Sequence, residues 1–404
     1  MEAAVKPSSD RLVETVLNCW EETGQATLSA RRISSLSGVP VSSIYHHFGS
    51  LEQLFLCAQD AALARTRSWS NEQLRQLGDM NGDVAAFPAF FSETVDGWAN
   101  DRRDLAFAWR EGQLLGRDSE LCRQACERWG ALWSDFWQQV ADRFGLGSGK
   151  IVTERVFENE SFFHLMRWRR LFDRAGLDEL GRGLGAWLAG APMPPSPWRD
   201  AARDLALQSM PPIPERDEAM ARMTSAAVDL VSEEGVAGLT HRAVAERAGL
   251  TLGVVLHKFN TKSELLSAAF EGVYLANIGH LLREQNAPDV SRRQTAIVDE
   301  LVESISRVKG RRGLEELSLA VARDPSLHQF AAQLRYLRGR TSKSTLEAIV
   351  EGRRNVTSLE AALFSSFASS LTRLRESASP DVARAQVRTE LESVLAFVRR
   401  SSVA

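Results

Sequence analysis

Two stretches of the sequence combine basic and short polar side chains with almost no acids, although the chain as a whole is slightly acidic. The formal net charge is −3. Between Thr23 and Leu51 there is no aspartate or glutamate, and between Gly235 and Ser263 the only acid is Glu246. Basic side chains bind phosphates, and short polar side chains can reach the edges of bases. We therefore expect any contact with nucleic acid to be confined to these two basic windows.

The two basic windows are copies of one another. Arg11 matches Arg222, and the same offset of 211 residues holds without gaps from about residue 11 to residue 54. Identical pairs include Arg11 and Arg222, Glu22 and Glu233, Gly24 and Gly235, Arg31 and Arg242, Gly38 and Gly249, His46 and His257, Phe48 and Phe259, and Leu54 and Leu265. The repeat indicates that one structural unit occurs twice in the chain.

The spacing of residues in the first copy predicts a small bundle of helices. Apolar residues recur at helical spacing from Leu12 to Trp20. Ser29 is a typical N-cap for a second helix, and Gly38 allows a sharp turn before a third helix over about 40–48. A fourth helix is expected to follow. The second copy repeats this scheme, so the sequence predicts two helix-turn-helix units.

A helix-turn-helix pattern alone is a weak signal, but these residues also resemble a known family. The N-terminal domain of the TetR family is similar to two stretches, SARRISSLSGVPVSSIYHHFGSLEQL and THRAVAERAGLTLGVVLHKFNTKSELL. The specific resemblance covers about a quarter of the chain. It implies an all-α fold with two tandem TetR-like units, each with a three-helix head and a helical domain for ligand binding and dimerisation.

The resemblance also implies which side chains would contact DNA. In the first copy, Ser42, Ser43 and His46 would face the major groove, and Tyr45 would bind a phosphate. The candidates in the first copy are Arg31, Arg32, Ser42, Ser43, Tyr45, His46, His47 and Ser50. The candidates in the second copy are Thr240, Arg242, Thr251, Gly253, His257, Lys258, Thr261 and Lys262. For any single candidate, the alternative is an ordinary solvated surface residue.

Both copies depart from the family pattern. Leu256 stands where the phosphate-binding tyrosine is expected, and Leu51 stands where the lysine of the fourth helix is expected. We therefore expect an asymmetric operator, with the first copy contributing more of the specificity.

His46 and His47 are not expected to bind a metal ion, because adjacent side chains on a helix point about 100° apart.

The proline-rich stretches and the repeat divide the chain into five segments. They are a first helix-turn-helix domain at 1–54, a first helical ligand-binding domain at 55–190, a proline-rich linker at 191–216, a second helix-turn-helix domain at 217–265, and a second helical domain at 266–404.

In the family, the last two helices of each subunit pair across a dimer. We expect the corresponding helices to pair within this chain, as a pseudo-dimer with its heads about 34–36 Å apart. Further association of two chains stays open.

Aromatic residues are concentrated in the first half of the chain, where all ten tryptophans lie at or before Trp198. Domains that bind small molecules in this family enclose an apolar pocket. We therefore expect an apolar or aromatic effector to bind the first half. The candidate pocket residues are Trp98, Trp109, Trp129, Trp133 and Phe163. The alternative is that these side chains are ordinary core.

These observations favour a DNA-binding transcriptional regulator, expected to act as a repressor that an effector releases from its operator. The main alternative is a small-molecule-binding or scaffold protein whose heads have lost DNA affinity. No GxSxG, HExxH or glycine-rich phosphate loop occurs, so no enzyme is expected, and no cofactor. No apolar run reaches the roughly 18 residues of a membrane span. A cytoplasmic protein without membrane contact is therefore expected.

Overall fold

A computed structural model of the chain describes residues 7–80, 82–115, 120–209, 217–272, 294–307, 311–351, 353–374 and 380–400. Within these ranges every regular element is a helix and none is a strand, so the predicted all-α fold is confirmed. The chain divides into two compact units. Unit 1 is Met1–Leu165 with Arg373–Ser379, and unit 2 is Met166–Thr372 with Pro380–Ala404.

The first four helices of unit 1 contain the first copy of the repeat. The helices of this unit are α1 (Ser8–Glu22), α2 (Ala30–Ser37), α3 (Val41–Phe48), α4 (Leu51–Gln76), α5 (Phe87–Asn100), α6 (Arg103–Leu115), α7 (Glu120–Phe144) and α8 (Gly149–Phe163), and a 3-10 helix (Gln25–Thr27) follows α1. We call α1 to α3 with the start of α4 head 1.

Unit 2 contains the second copy. Its helices in the described ranges are α9 (Arg170–Ala189), α10 (Pro197–Gln208), α11 (Glu218–Gly238), α12 (His241–Ala248), α13 (Leu252–Lys258), α14 (262–272), α15 (Gln294–Arg307), α16 (Arg311–Arg323), α17 (His328–Tyr336), α18 (Arg340–Val350), α19 (Ser358–Leu374) and α20 (Pro380–Arg400). We call α11 to α13 with the start of α14 head 2. None of the helices in the described ranges combines the length and the apolar character that crossing a bilayer requires.

The core of unit 1 is aromatic, with one polar side chain that ties three helices together. Trp98 on α5 and Trp133 on α7 are buried, and their ring centroids lie 4.9 Å apart. Gln59 on α4 donates a hydrogen bond to the carbonyl of Ala108 at 2.9 Å and accepts one from Trp129 Nε1 at 2.8 Å. A buried amide without partners would cost roughly 1–3 kcal/mol. These bonds therefore fix α4 against α6 and α7.

A helix occupies much of the segment predicted as a linker, 191–216. Ala202 and Ala206 on α10 are fully buried in a cluster with Tyr336 of α17. Small side chains at these positions let α10 approach α17 closely. The last residues of the segment, 210–216, lie outside the described ranges. The division between the two units therefore falls before α9 in the sequence, because α9 and α10 pack into the core of unit 2.

Within unit 2, α9 packs closely against α19. A Cβ at Gly183 would lie 2.9 Å from Leu359 Cδ2, so a larger residue would push the two helices apart. Trp187 Nε1 donates a hydrogen bond to Glu360 Oε1 at 3.0 Å, and Arg354 binds the same carboxylate at 2.6 Å. Glu360 is fully buried. These donors offset the cost of removing its charge from water.

A second buried polar cluster joins α9 to α17. Arg335 forms an ion pair with Asp173 at 2.6 Å, and the Tyr336 hydroxyl donates a hydrogen bond to the same carboxylate at 3.1 Å. All three side chains are buried. Burial disfavours the charged tyrosinate and raises the pKa of Tyr336 to about 12.

Candidate nucleic-acid interface

The two heads share the backbone geometry that sets the angles between their helices. Gly24 has φ 75° and ψ 166°, and its counterpart Gly235 has φ 75° and ψ −176°. Gly38 has φ 63° and ψ 26°, and its counterpart Gly249 has φ 63° and ψ 40°. Positive φ favours glycine, which explains why these glycines occur in both copies. The second pair ends the second helix of each head and starts the turn to the third.

Side-chain contacts within the heads are also repeated. The Arg11 guanidinium donates a hydrogen bond to the carbonyl of Ser37, at the end of α2. Arg222 makes the same contact with the carbonyl of Ala248, at the end of α12, and a second with Gly249 at 3.0 Å. The last carbonyls of a helix lack partners within the helix. One arginine in each head therefore fixes the first helix to the end of the second.

The equivalence extends to helices outside the heads. Glu111 on α6 accepts a hydrogen bond from the backbone N–H of Gln25 at 3.3 Å. Glu316 on α16 accepts one from the backbone N–H of Val236 at 2.7 Å. Gln25 and Val236 each follow the first glycine of their head. This pair of contacts could not be predicted from the repeat, because Glu111 and Glu316 do not keep its ungapped offset of 211 residues.

Four of the hydroxyl residues predicted to contact DNA cap helices. Ser50 Oγ accepts a hydrogen bond from Gln53 N at 3.1 Å, at the start of α4. Thr240, Thr251 and Thr261 each accept a bond from the backbone N–H three residues later, at 3.1, 3.4 and 3.2 Å. A hydroxyl that accepts such a bond still has its own proton to donate. These residues thus stabilise the heads and keep the capacity to bind a phosphate.

The third helix of head 1 presents polar side chains to solvent. Ile44 is fully buried and anchors α3, while Ser42, Tyr45, His46 and His47 are exposed and Ser43 is half-buried. Arg31 and Arg32 are exposed in the first turn of α2. The structure therefore places the predicted residues of head 1 on the surface of two successive helices, with no acid between them in the sequence.

The third helix of head 2 presents a different surface. Four of the residues predicted to contact DNA are exposed, as such a contact requires: Arg242, Gly253, His257 and Lys262. Lys258 is exposed but forms an ion pair with Asp217 at 2.9 Å. The hydrogen bond from Lys258 lowers the pKa of Asp217.

Two further features of head 2 were not anticipated. Arg247 forms ion pairs with Glu233 at 2.9 Å and Glu234 at 3.7 Å. Leu252 and Leu256 are exposed on α13, each by 43%. Head 2 therefore has more of its basic side chains engaged in ion pairs, and it has apolar side chains on its outer face.

Residues 224–269, from α11 to α14, match the model of a family described as bacterial regulatory proteins, tetR family. Head 2 is therefore similar to a domain of that family. The match supports a DNA-binding transcription regulator of the TetR kind. The match does not extend to head 1, but head 1 shares its glycine conformations, helix caps and arginine contacts with head 2. No curated protein matches the chain.

The aromatic residues predicted to line a ligand pocket are mostly brought together in unit 1. Trp98, Trp109, Trp129 and Trp133 are buried. Trp109 and Trp133 lie 5.1 Å apart, and Trp109 and Trp129 lie 6.1 Å apart, measured between ring centroids. Phe163 is half-buried and its ring lies against Phe162 at the end of α8. The cluster also includes Trp69, Trp137, Phe136 and Phe157, which were not among the candidates.

Metal-binding side chains do not gather in the described ranges, where no group of three or more histidines, cysteines, aspartates or glutamates could hold an ion.

Proposed function

We propose that the protein is a transcriptional repressor that binds an asymmetric DNA operator with both heads and leaves it when an apolar or aromatic small molecule binds unit 1. One observation carries this proposal. The two heads have the same glycine conformations and the same internal contacts, each exposes a third helix within a basic window, and one of them matches a family of DNA-binding regulators.

Head 1 has the chemistry to read one half of the operator. With α3 in the major groove, its exposed side chains face base edges, and Tyr45 donates a hydrogen bond to a phosphate. Arg31 and Arg32 lie at the start of α2, and Ser50 lies at the start of α4. Phosphates are stabilised at helix N-termini, where backbone N–H groups lack partners.

The packing of α9 in unit 2 supports the pseudo-dimer. By sequence α9 ends the first half of the chain, and α19 and α20 end the second half. Gly183 and Trp187 of α9 lie against α19, and α9 also contacts α20. The packing of α9 against the last two helices of the chain is what we expect of a pseudo-dimer built like the interface of a helical bundle. We propose the five predicted segments as the functional divisions of the chain, with α10 as a helix inside the linker.

The aromatic cluster of unit 1 is positioned to act on head 1 through α6. Trp109 lies in the cluster, and Glu111, two residues later on α6, binds the backbone of Gln25 in head 1. A ligand that favoured a shifted α6 would therefore favour a shifted head 1. The contact between Glu111 and the backbone of Gln25 would thus couple ligand binding in the cluster to the position of head 1 on DNA.

The test is fluorescence anisotropy of the purified protein on labelled DNA from upstream of its own gene, at two salt concentrations. We expect tight, saturable binding that random DNA does not compete away. Replacing Arg31 and Arg32 together by alanine should weaken binding. The slope of the logarithm of the binding constant against the logarithm of the salt concentration should become shallower by roughly 0.9 for each phosphate contact that is lost. Arg353→Ala, a change at an exposed arginine outside the heads, is the matched control and should bind as wild type.

A second candidate function is a ligand-binding or scaffold protein whose heads no longer bind DNA. The ion pairs of Arg247 and Lys258 and the exposed Leu256 favour it, because each reduces the affinity of head 2 for phosphates. Binding to the upstream DNA no stronger than to random sequence, with no difference between the arginine variant and the control, would support this candidate.

The effector is tested separately by tryptophan fluorescence. A compound that releases the protein from DNA should change the fluorescence of the cluster. Trp133→Phe should lower its affinity more than Trp198→Phe, because Trp198 lies at the start of α10 in unit 2 and is 40% exposed. An effector that leaves fluorescence unchanged and is insensitive to Trp133→Phe would place its site elsewhere.

A further inference from the structure

Exposed apolar side chains line the third helix of head 2. Leu252, Val254 and Leu256 are 43%, 38% and 43% exposed, while Val255 is fully buried and anchors α13. Leu256 stands at the position that Tyr45 occupies in head 1. The face of α13 opposite Val255 is therefore bordered by apolar groups on both sides. Water is a poor partner for such a face, so it fits a surface that is covered by another molecule.

Gly253 lies in the middle of this face, and the packing of head 2 gives no reason for a glycine there. A Cβ at this position would meet only Thr251 Oγ1, at 4.0 Å. Its backbone is helical, which alanine would favour. A glycine that the fold does not need is typical of a place where another molecule comes close to the backbone.

The charges around this face indicate what that molecule is. Arg242 near the start of α12 and Lys262 at the start of α14 are exposed cations on the helices that precede and follow α13 in the sequence. An apolar helix face between two helices that carry exposed cations matches the major groove of DNA, where phosphates border the base edges. The one apolar group that bases present in this groove is the 5-methyl group of thymine.

We propose that head 2 recognises thymines in its half-site by contact of their methyl groups with Leu252, Val254 and Leu256. Gly253 lets the backbone of α13 lie against the base edges. Head 1 reads its own half-site mainly through hydrogen bonds, because Ser43 and Tyr45 stand at the positions of Val254 and Leu256. This inference rests on the proposed function, in which head 2 binds DNA.

The test uses an operator selected from random duplex DNA by the full-length protein. Each thymine is then replaced by deoxyuridine, which removes only the methyl group. For wild type, each contacted methyl that is lost should weaken binding roughly fourfold. In the double variant Leu252→Ala and Leu256→Ala, the replacements at thymines that the two leucines contact should change affinity less than twofold, whereas a thymine contacted by Val254 should keep its sensitivity. Equal sensitivity of the variant and wild type at every thymine would overturn the proposal.

Two controls separate this contact from general effects. Tyr45→Phe, a change in head 1, should keep the full sensitivity to deoxyuridine at the same thymines. Gly253→Ala should weaken operator binding about tenfold while leaving the thermal unfolding temperature unchanged or higher, because alanine favours the helix. An unchanged affinity of Gly253→Ala would show that the backbone of α13 does not approach the bases.

The outcomes also distinguish this proposal from the function on which it rests. If selection enriches no sequence, the proposed DNA binding fails, and the inference fails with it. If a sequence is enriched but no thymine methyl matters, only the inference fails. Wild-type affinity of the leucine variant on that operator would then assign the apolar face of α13 to a protein partner.

Discussion

Single residues set the difference between the two heads. Tyr45 and Leu256 occupy the same place in the repeat and both are exposed, by 54% and 43%. The tyrosine offers a hydroxyl donor to a phosphate, whereas the leucine offers only apolar surface. The glycines and arginines that set the angles between the helices are kept in both heads, whereas exposed side chains of the third helix such as Tyr45 and Leu256 differ. The two heads therefore share a fold without sharing a binding surface.

Tyr45→Phe should weaken operator binding by about 1.5–3 kcal/mol, because it removes a hydrogen bond to a charged group. Leu256→Ala should cost less than about 1 kcal/mol, because it removes only part of an apolar contact. Anisotropy titrations on the same operator compare the two variants. Equal losses would contradict the assignment of greater specificity to head 1.

Tyr336 should link stability to alkaline pH. Its pKa in the folded protein is about 12, above the ordinary value near 10. Below pH 10 the phenol is protonated in both states and contributes no pH dependence. Between pH 10 and 12 the unfolded chain ionises first, so the free energy of unfolding falls as pH rises.

Denaturant unfolding of wild type and of Tyr336→Phe from pH 8 to 11.5 measures this effect. In Tyr336→Phe, the free energy of unfolding should fall less steeply with rising pH above pH 10 than it does in wild type. Tyr45→Phe, a change at an exposed tyrosine, is the matched control. An alkaline slope unaltered by Tyr336→Phe would refute the link.

At the level of elements, the head helices could be predicted from sequence because their signals are local. Ser29 and Thr240 cap the second helices, and the third helix expected over 40–48 is observed as Val41–Phe48. The contacts of α6 and α16 with the heads could not be predicted. They join residues about 80 positions apart, and no local pattern encodes such a distance. The same holds for the packing of α10 on α17.

Glu316→Ala should loosen the joint between α16 and head 2. It leaves the N–H of Val236 without its acceptor, which should cost about 1–2 kcal/mol. Hydrogen exchange of the Val236 amide should become roughly tenfold faster or more. Glu316→Gln is the control, since its amide oxygen can still accept the bond. Equal exchange rates in both variants would mean that this contact does not hold the joint.

At the level of the whole molecule, the repeat predicts how many chains act together. A regulator with one head per chain needs two chains for a two-part operator, whereas this chain carries two heads. The buried contacts of Trp187 and Arg354 with Glu360 place helices from both halves of the sequence in one core. The concentration of the tryptophans in one half of the chain is visible in composition alone.

One 44.8 kDa chain should therefore occupy one operator. Analytical ultracentrifugation of the protein with a duplex that contains a single operator measures the mass of the complex. The expected mass is that of one chain and one duplex. A complex with two chains per duplex, persisting at low protein concentration, would contradict the pseudo-dimer.

The unlike surfaces of α3 and α13 give the bound complex a direction. Two identical heads leave a palindromic site, which reads the same on either strand and cannot distinguish upstream from downstream. A site bound by the polar surface of α3 at one end and by the apolar surface of α13 at the other has a left and a right. The aromatic unit would then always lie on the same side relative to the gene, and a search of the genome for inverted repeats would pass over the sites this protein occupies.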